Sequence, residues 1–370
     1  MTGSRCRGCG ERTLRRVLDL GTVPAADHFP PADTPVGGDE AAHPLAMDLC
    51  LLCGLAQLAD DDTVTDEPRG VEPQALRDQA AQAVARVAAA GLLTGATVRE
   101  FGSPHGGTWV PLLTERGFTP TDGPADVVLD SFGIMHDPDQ RAAFAQRATA
   151  TAPGGVLLLQ YHSLSAIVGQ GQWNALRHGH FAYYSMPALI GLLAGAGMRA
   201  LTAWTFDLYG GTVLVAAVHA ASGATESDAV VQRLLSADAA LTNPDTVGAL
   251  QLRADRHAFA LREWLEDQML AGRRVYAYGA ASRAVALFAR AGLSREHLGA
   301  VADASEAKHG RRMPGTDIPI ISPQELVGED PDAVVLTLPD LLPEVTAQLP
   351  ELAGRWVSDD RFAEPRPERS

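Results

Sequence analysis

The four cysteines of this chain fall in two Cys-x-x-Cys pairs, Cys6/Cys9 and Cys50/Cys53, with no cysteine left over. Two such pairs, each on a tight knuckle that turns both thiolates inward, make a tetrahedral thiolate set for zinc. Gly8, Gly10 and Gly54 supply the backbone freedom those knuckles need. Two disulfides or four free thiols are the competing reading, and Cys-x-x-Cys pairs in a cytosolic chain favour metal or redox roles over it. With four thiolates and no open position the zinc is structural. It staples a segment of about 60 residues, too short to fold well alone.

Two glycine turns are the other places where chemistry has room. Glu100-Phe101-Gly102-Ser103-Pro104-His105-Gly106-Gly107 reads as a strand that breaks into a glycine loop, where a ligand can approach the backbone or the chain simply turns. Gly279, followed by Ser282 and Arg283, opens a helix, which is either an anion site or an ordinary strand–helix turn. His136-Asp137 reads as a helix cap.

The elements that would position these groups alternate between strand and helix. Helices are expected over 74–90, from 111 to Gly117, over 140–150 and over 187–196; strands over 97–101, 126–130, 156–160, 198–206 and 212–217. Pro153-Gly154-Gly155 reads as a turn ahead of the 156–160 strand. A long helical stretch over 230–271 leads into a second alternating region, with strands over 275–278, 298–303 and 333–337 and a helix over 283–291. The expected architecture is α/β throughout. Residues 1–62 form a zinc-binding module, 74–225 a first α/β domain, 226–272 a helical connector and 273–362 a second, Rossmann-like α/β domain. The acidic stretch from Asp60 to Pro73 reads as a linker, and the tail from Ala363 to Ser370 as disordered.

Composition narrows the partners. The 370 residues are 46% hydrophobic, enough for sizeable cores, and carry a net charge of −15. That charge argues against a nucleic-acid binder, which needs a basic face. No apolar run is long enough for a membrane span and the start has no signal-peptide pattern, so the expectation is a cytoplasmic protein acting on a small molecule.

As a set, the motifs resemble a family over nearly the whole chain: the three-part sugar C-methyltransferases that act on nucleotide-linked deoxyketosugars. Cys6-Arg-Gly-Cys9, Val17-Leu-Asp-Leu-Gly21, Pro24-Ala-Ala and Pro44-Leu45 leading into Cys50-Leu-Leu-Cys53-Gly54 are similar to its zinc module. Glu100-Phe-Gly102-Ser looks like its donor loop, E-I-G-S-N-D-G, and His178-Gly-His180-Phe-Ala-Tyr183-Tyr-Ser185 like its central H-E-H-F-S-Y-F-S motif. Gly210-Gly211 before Val213 matches a glycine pair. Tyr278-Gly279-Ala280, Val301-Ala-Asp303, Ala307-Lys308, Gly310-Arg311, Pro314-Gly315-Thr316 and Ile318-Pro319-Ile-Ile-Ser322-Pro323 form a collinear match in the last domain.

The resemblance implies a class I methyltransferase-like fold of truncated Rossmann type, with S-adenosylmethionine held at Glu100, Gly102, Ser103 and Gly106. It also implies a base that removes the proton beside a 4-keto group, and an enolate that attacks the methyl carbon. His180 is the candidate base, because an imidazole titrates near neutral pH, with His178 and Arg177 as its companions in the site. Arg177 suits a ligand phosphate or carboxylate; Tyr183 and Tyr184 read as packing.

The departures are specific. Pro104-His105 stands where the family has Asn-Asp, Arg177 and Gly179 where it has Tyr and Glu, and Ser163, with His162 beside it, where it has a histidine. Between Phe118 and Asp126 some tens of residues are missing, among them the strand whose acidic end holds the donor's ribose. Two further functions therefore stand beside methyl transfer: proton transfer on the same scaffold without a donor, and a non-catalytic binding protein.

Overall fold

A computed structural model of the chain describes residues 5–26, 29–38, 40–59, 72–102, 107–223 and 227–363. The expected linker, apart from its last two residues, and all of the tail but Ala363 lie outside these.

The N-terminal segment folds on three antiparallel strands that the sequence did not announce: β1 (Leu14–Pro24), β2 (Ala42–Cys50) and β3 (Ala56–Ala59). Cys50 ends β2, and Cys53 sits in the turn that leads to β3. The fourth strand of this sheet comes from far along the chain.

Behind it, the second sheet has the order β5-β4-β6-β7-β10-β9, made from β4 (Thr97–Phe101), β5 (Thr119–Pro120), β6 (Ala125–Ser131), β7 (Thr151–His162), β9 (Met198–Phe206) and β10 (Thr212–His219). The first four are parallel, and β10 runs antiparallel between β7 and β9. Helix α1 (Gln74–Ala89) packs Ala80, Ala83, Val84 and Val87 on one face. Helix α3 (Gln140–Ala150) covers the other, with Phe144 fully buried. Between them, α2 (Val110–Thr114) is little more than one turn.

Strand β5 has two residues, paired with Thr97 and Val98, and no further strand of this sheet lies beyond it among the described residues. A groove of about 460 Å³ lies between Arg99 and Phe101 of β4 and Ala142, Ala145, Gln146 and Thr149 of α3.

Two expectations are corrected here. Pro153-Gly154-Gly155 is part of the twelve-residue strand β7 and not a turn ahead of it. A side chain at Gly155 would press on the carbonyl of Asp126 at 2.8 Å, so glycine lets β7 and β6 approach where their register shifts. The 230–271 helix is two helices, α6 (Ala229–Asp238) and α7 (Pro244–Leu270), parted by a short turn. Pro244 cannot continue a helix, and Asn243 caps the new one through its side chain to the Asp245 N–H. Helices α4 (Leu164–Gln170) and α5 (Met186–Gly195) flank the central motif, and β8 (Ala182–Tyr183) lies inside it.

The last sheet is parallel, in the order β13-β12-β11-β14-β15: β11 (Val275–Tyr278), β12 (Val301–Ala302), β13 (Ile320–Ile321), β14 (Ala333–Leu336) and β15 (Trp356–Ser358). Only two residues of the expected 298–303 strand pair. Strand β11 feeds α8 (Ser282–Ala291) through Gly279, whose φ of +99° and 2.6 Å approach to Thr337 Oγ1 exclude a side chain. The crevice between β11 and β14, where strand order reverses, is the usual ligand position in such sheets.

One buried ion pair shapes the ends of β4 and β6. Arg147 of α3 donates to Asp130 at 2.8 Å and also pairs with Asp137 at 2.8 Å, while its guanidinium lies 4.2 Å from the Phe101 ring. Asp130 also accepts from the Gly133 and Ile134 N–H groups, at 2.8 and 2.9 Å, which fixes the turn after β6. Replacing Arg147 by Met leaves a buried carboxylate alone, and should cost about 3–5 kcal/mol in urea unfolding. Asp130→Asn in the same chain should recover part of it; a loss below about 1 kcal/mol in the single variant would show that the pair does not hold the turn.

Candidate active site and zinc centre

The four cysteine Sγ atoms lie within 4.8 Å of one another, with Cys6···Cys53 at 3.5 Å and Cys9···Cys50 at 3.6 Å. Sulfurs on a tetrahedral zinc with bonds near 2.3 Å stand about 3.8 Å apart, and a disulfide would need about 2 Å. The thiols are free, so the set fits zinc and not two disulfides. Each knuckle closes through a backbone bond of 2.9 Å, Gly10 N–H to Cys6 and Gly54 N–H to Cys50, with both glycines at positive φ. Gly8 has Leu192 of α5 and Leu55 at 3.0 and 3.1 Å from where a Cβ would sit, so the knuckle is pressed against the methyltransferase-like domain.

That contact is extended by the backbone. Strand β8 pairs antiparallel with β3, Ala56 facing Tyr183 and Gln57 facing Ala182. On either side Leu58 N–H donates to Phe181 at 3.2 Å, and Phe181 N–H to Met135 at 2.7 Å. The segment carrying the central histidines is thus held between the zinc module and the turn after β6.

The structure brings His180 and Arg177 together and separates them from His178. His180 is 5% exposed, and its Nε2 accepts from Arg177 Nε at 2.8 Å. Arg177 reaches on through Nη1 to donate to Ser282 Oγ on α8, at 2.6 Å. His178 lies across Gly179, which has a φ of +76°; its ring is 3.2 Å from the Pro44 carbonyl and edge-on to His43. Of the two tyrosines, Tyr183 accepts from the Arg177 N–H at 3.1 Å, and Tyr184 is buried against Phe144 and Tyr161.

Three residues join the site that sequence reasoning did not assign to it. His136, expected as a cap, lies in the turn Ile134–His136 with its ring 4.3 Å from that of His180; Asp139 caps α3 instead. Burial, aided by Arg177, pushes His136 down to about 3. His162, at the end of β7, is pushed down to about 3 by burial, with Arg283 next, and its buried Nε2 has no hydrogen-bond partner among the described residues. Tyr209 has a left-handed φ of +55° and lies 6.2 Å from His162, with the Arg283 guanidinium 6.0 Å from its ring. Strain on a non-glycine residue of this kind collects at ligand sites, and the adjacent Gly210-Gly211 pair was the available sequence signal. Ser163, by contrast, caps α4.

Arg177 and Arg283 share this crevice, and burial, with Arg177 next, pulls Arg283 downward. Burial pushes Asp359 up to about 8 although Arg283 pulls the other way, and Asp340 is raised for the same reason.

At the donor end, Ser103 and Gly106 lie outside the described residues. Glu100 accepts from the Trp109 N–H at 2.7 Å and from the Thr108 hydroxyl, tying the start of α2 to the end of β4. A Cβ on Gly133 would stand 3.0 Å from both the Gly102 carbonyl and Asp130 Oδ1, so glycine lets the turn after β6 close against the end of β4. Asp122, the remaining acidic residue after β5, is exposed and gives only its backbone carbonyl to Arg99, at 2.6 Å.

Comparisons with known proteins agree in order along the chain. Residues 6–65 match the family model of a zinc binding domain, and residues 207–358 that of a C-methyltransferase C-terminal domain. C-methyltransferase NovU of Streptomyces niveus is 26% identical over 95% of this chain and 94% of its own length. Among solved structures, magnesium protoporphyrin IX methyltransferase of Synechocystis PCC 6803 is 14% identical and covers 41% of this chain and 90% of its own, at a TM-score of 0.29. The 1,6-didemethyltoxoflavin-N1-methyltransferase of Burkholderia thailandensis is 14% identical over 44% of this chain and 94% of its own, at 0.31. Those two likenesses are too loose to inform the site.

Two predictions follow from the geometry. Purified chain should carry one zinc, and its chelation should speed amide exchange at Ala182 and Tyr183 along with the knuckles; unchanged exchange there would uncouple the module from the site. Stability should also fall with acid. His136 and His162, with His257 at about 4, stay neutral when folded but take protons near pH 6.5 when unfolded. Their stabilisation, complete above pH 6.5, is lost toward pH 4 at about 1.4 kcal/mol per pH unit for each group. Asp359 works in the opposite sense between its unfolded value and about 8. Urea midpoints that drop from pH 6.5 to 4.5, with a shallower drop in His162→Gln, are the expected result.

Proposed function

We propose a methyl-transfer role for this chain, which belongs to the three-part C-methyltransferase family whose zinc-binding and C-terminal models it matches in order. The acceptor in this reading is the carbon beside the keto group of a nucleotide-linked deoxyketosugar or a related specialised metabolite. S-adenosylmethionine, when bound at Glu100, Gly102, Ser103 and Gly106, supplies an electrophilic methyl carbon.

The protein's own part is the proton and the charge. His180 Nε2 takes the proton from the carbon beside the ketone, and the C–H electron pair moves to make the enolate. Hydrogen-bond donors near the ketone oxygen would stabilise the charge that develops there, the role donors play in oxyanion sites. Arg177, beside His180, suits the phosphate of the ligand. His136 stays neutral beside it and adds no competing positive charge. The observation that carries this reading is His180 itself: buried, with its ring nitrogen turned to a guanidinium, in a segment strapped between domains.

A second reading has its own support. The two-residue β5 leaves the adenosine end of the donor with little to hold it. His180 and Arg177 would then move a proton without methyl transfer.

One experiment separates these. Zinc-loaded protein is incubated in D2O with a dTDP-linked 4-keto-6-deoxyhexose, with and without S-adenosylmethionine, and the sugar is weighed by mass spectrometry. Methyl transfer adds one methyl only when the donor is present. Proton transfer alone adds deuterium with no methyl, and binding without either change marks a non-catalytic protein. His180→Asn should lower whichever turnover appears by about 10²–10⁴. Full activity in that variant would remove His180 from the mechanism.

A further inference from the structure

We infer that Arg177 is a positioning residue that holds the candidate base out of use until an anionic ligand draws it away. The inference rests on the reading of this site as one for a nucleotide-linked, and therefore diphosphate-bearing, molecule.

The geometry is that of a latch. Arg177 Nε donates to His180 Nε2 at 2.8 Å, so the ring lone pair that would accept a substrate proton is already taken. The other end of the same guanidinium donates to Ser282 Oγ at 2.6 Å, at the start of α8 in the last domain. One side chain therefore ties the base to the neighbouring domain. It stands where the family pattern has a tyrosine, which carries no charge to attract an anion.

The surroundings give the latch a reason to open. Arg283, the residue after Ser282, is a second guanidinium in the same crevice, and the two repel. His162 and Tyr209 border this space, their rings 6.2 Å apart, and Tyr209 is held there in a left-handed conformation. Among the described residues, the groups that face His180 include Arg177 and Tyr183 of its own segment and His136 of the turn after β6. Behind Arg177 stand Ser282 and Arg283 of α8, then Asp340 and Asp359 beyond Arg283. Burial favours the neutral form of both carboxylates, so they offset the paired guanidiniums poorly. A phosphate group placed between Arg177 and Arg283 would satisfy both with charge-assisted bonds. It would also free His180 Nε2 in the same movement. No covalent step is involved: one hydrogen bond is exchanged for another.

The test uses the full zinc-loaded chain, labelled with ¹⁵N-histidine, and inorganic pyrophosphate as the probe. The His180 ring nitrogens are assigned by their loss in His180→Asn. At alkaline pH, where the ring is neutral, Nε2 of the parent should resonate as a hydrogen-bonded acceptor. Saturating pyrophosphate should move it to the unbonded position, which Arg177→Gln should show without any ligand. Pyrophosphate should leave that variant's Nε2 unmoved and, by calorimetry, bind it about tenfold more weakly. Ser282→Ala, which frees only the far end of the latch, should make release easier; it serves as the second variant if Arg177→Gln folds poorly. An Nε2 resonance that pyrophosphate leaves in place, or that is the same in parent and Arg177→Gln, overturns the latch, as does the absence of pyrophosphate binding at millimolar concentration. None of these readouts needs S-adenosylmethionine or turnover, so a failure here and a failure of methyl transfer are told apart.

Discussion

The pairing of Ala182 and Tyr183 with Ala56 and Gln57 is short, yet the chemistry of this chain hangs on it. A strand of two residues has no stability of its own. It persists because β3 is fixed by the Cys50/Cys53 knuckle on one side, and because Phe181 is bonded to Met135 on the other. Zinc therefore does more than compensate for a small core. The metal fixes a sheet, the sheet fixes the backbone of the central motif, and that backbone aims His180 into the crevice while Gly179 turns His178 out of it.

Electrostatics divide along the same line. The buried Arg147–Asp130 pair is closed: the guanidinium has two carboxylates and a ring face, and Asp130 is filled by two backbone N–H groups. Such a pair specifies geometry, here the turn that carries His136. In the Arg177–Arg283 crevice two guanidiniums lie together, beside imidazoles that burial keeps neutral and carboxylates whose charge burial disfavours. Like charges held this close favour an anion between them.

Much of this was legible from residue types and spacing, and the limits have physical causes. The zinc ligands were readable because four thiolates in two close pairs admit few alternatives. Strands over 198–206 and 275–278 and the helix over 140–150 showed as periodicity, and they have those bounds. The strands of the zinc module did not show, because bulges at Arg16/Leu18 and Asp19/Thr22 interrupt their alternation. Gly154 and Gly155 imitated a turn because strand packing, not loop geometry, required a missing side chain. The site divides similarly. His180 and Arg177 were found through a motif, but His136, His162 and Tyr209 come from three other elements, and only the folded sheet brings them to one crevice. Their local sequence context could not distinguish a ligand-facing imidazole from a cap.

The two ends of the central sheet are held by different contacts. The groove between β4 and α3 lies beside the two-residue β5, yet the end of β4 stays close to the turn after β6, because Asp130 and Arg147 hold that turn. The crevice around His180 is held instead by contacts to the zinc module and to α8. The edge beside β5 can therefore vary in length without moving His180 or Arg177, because β3 and Ser282 set their positions.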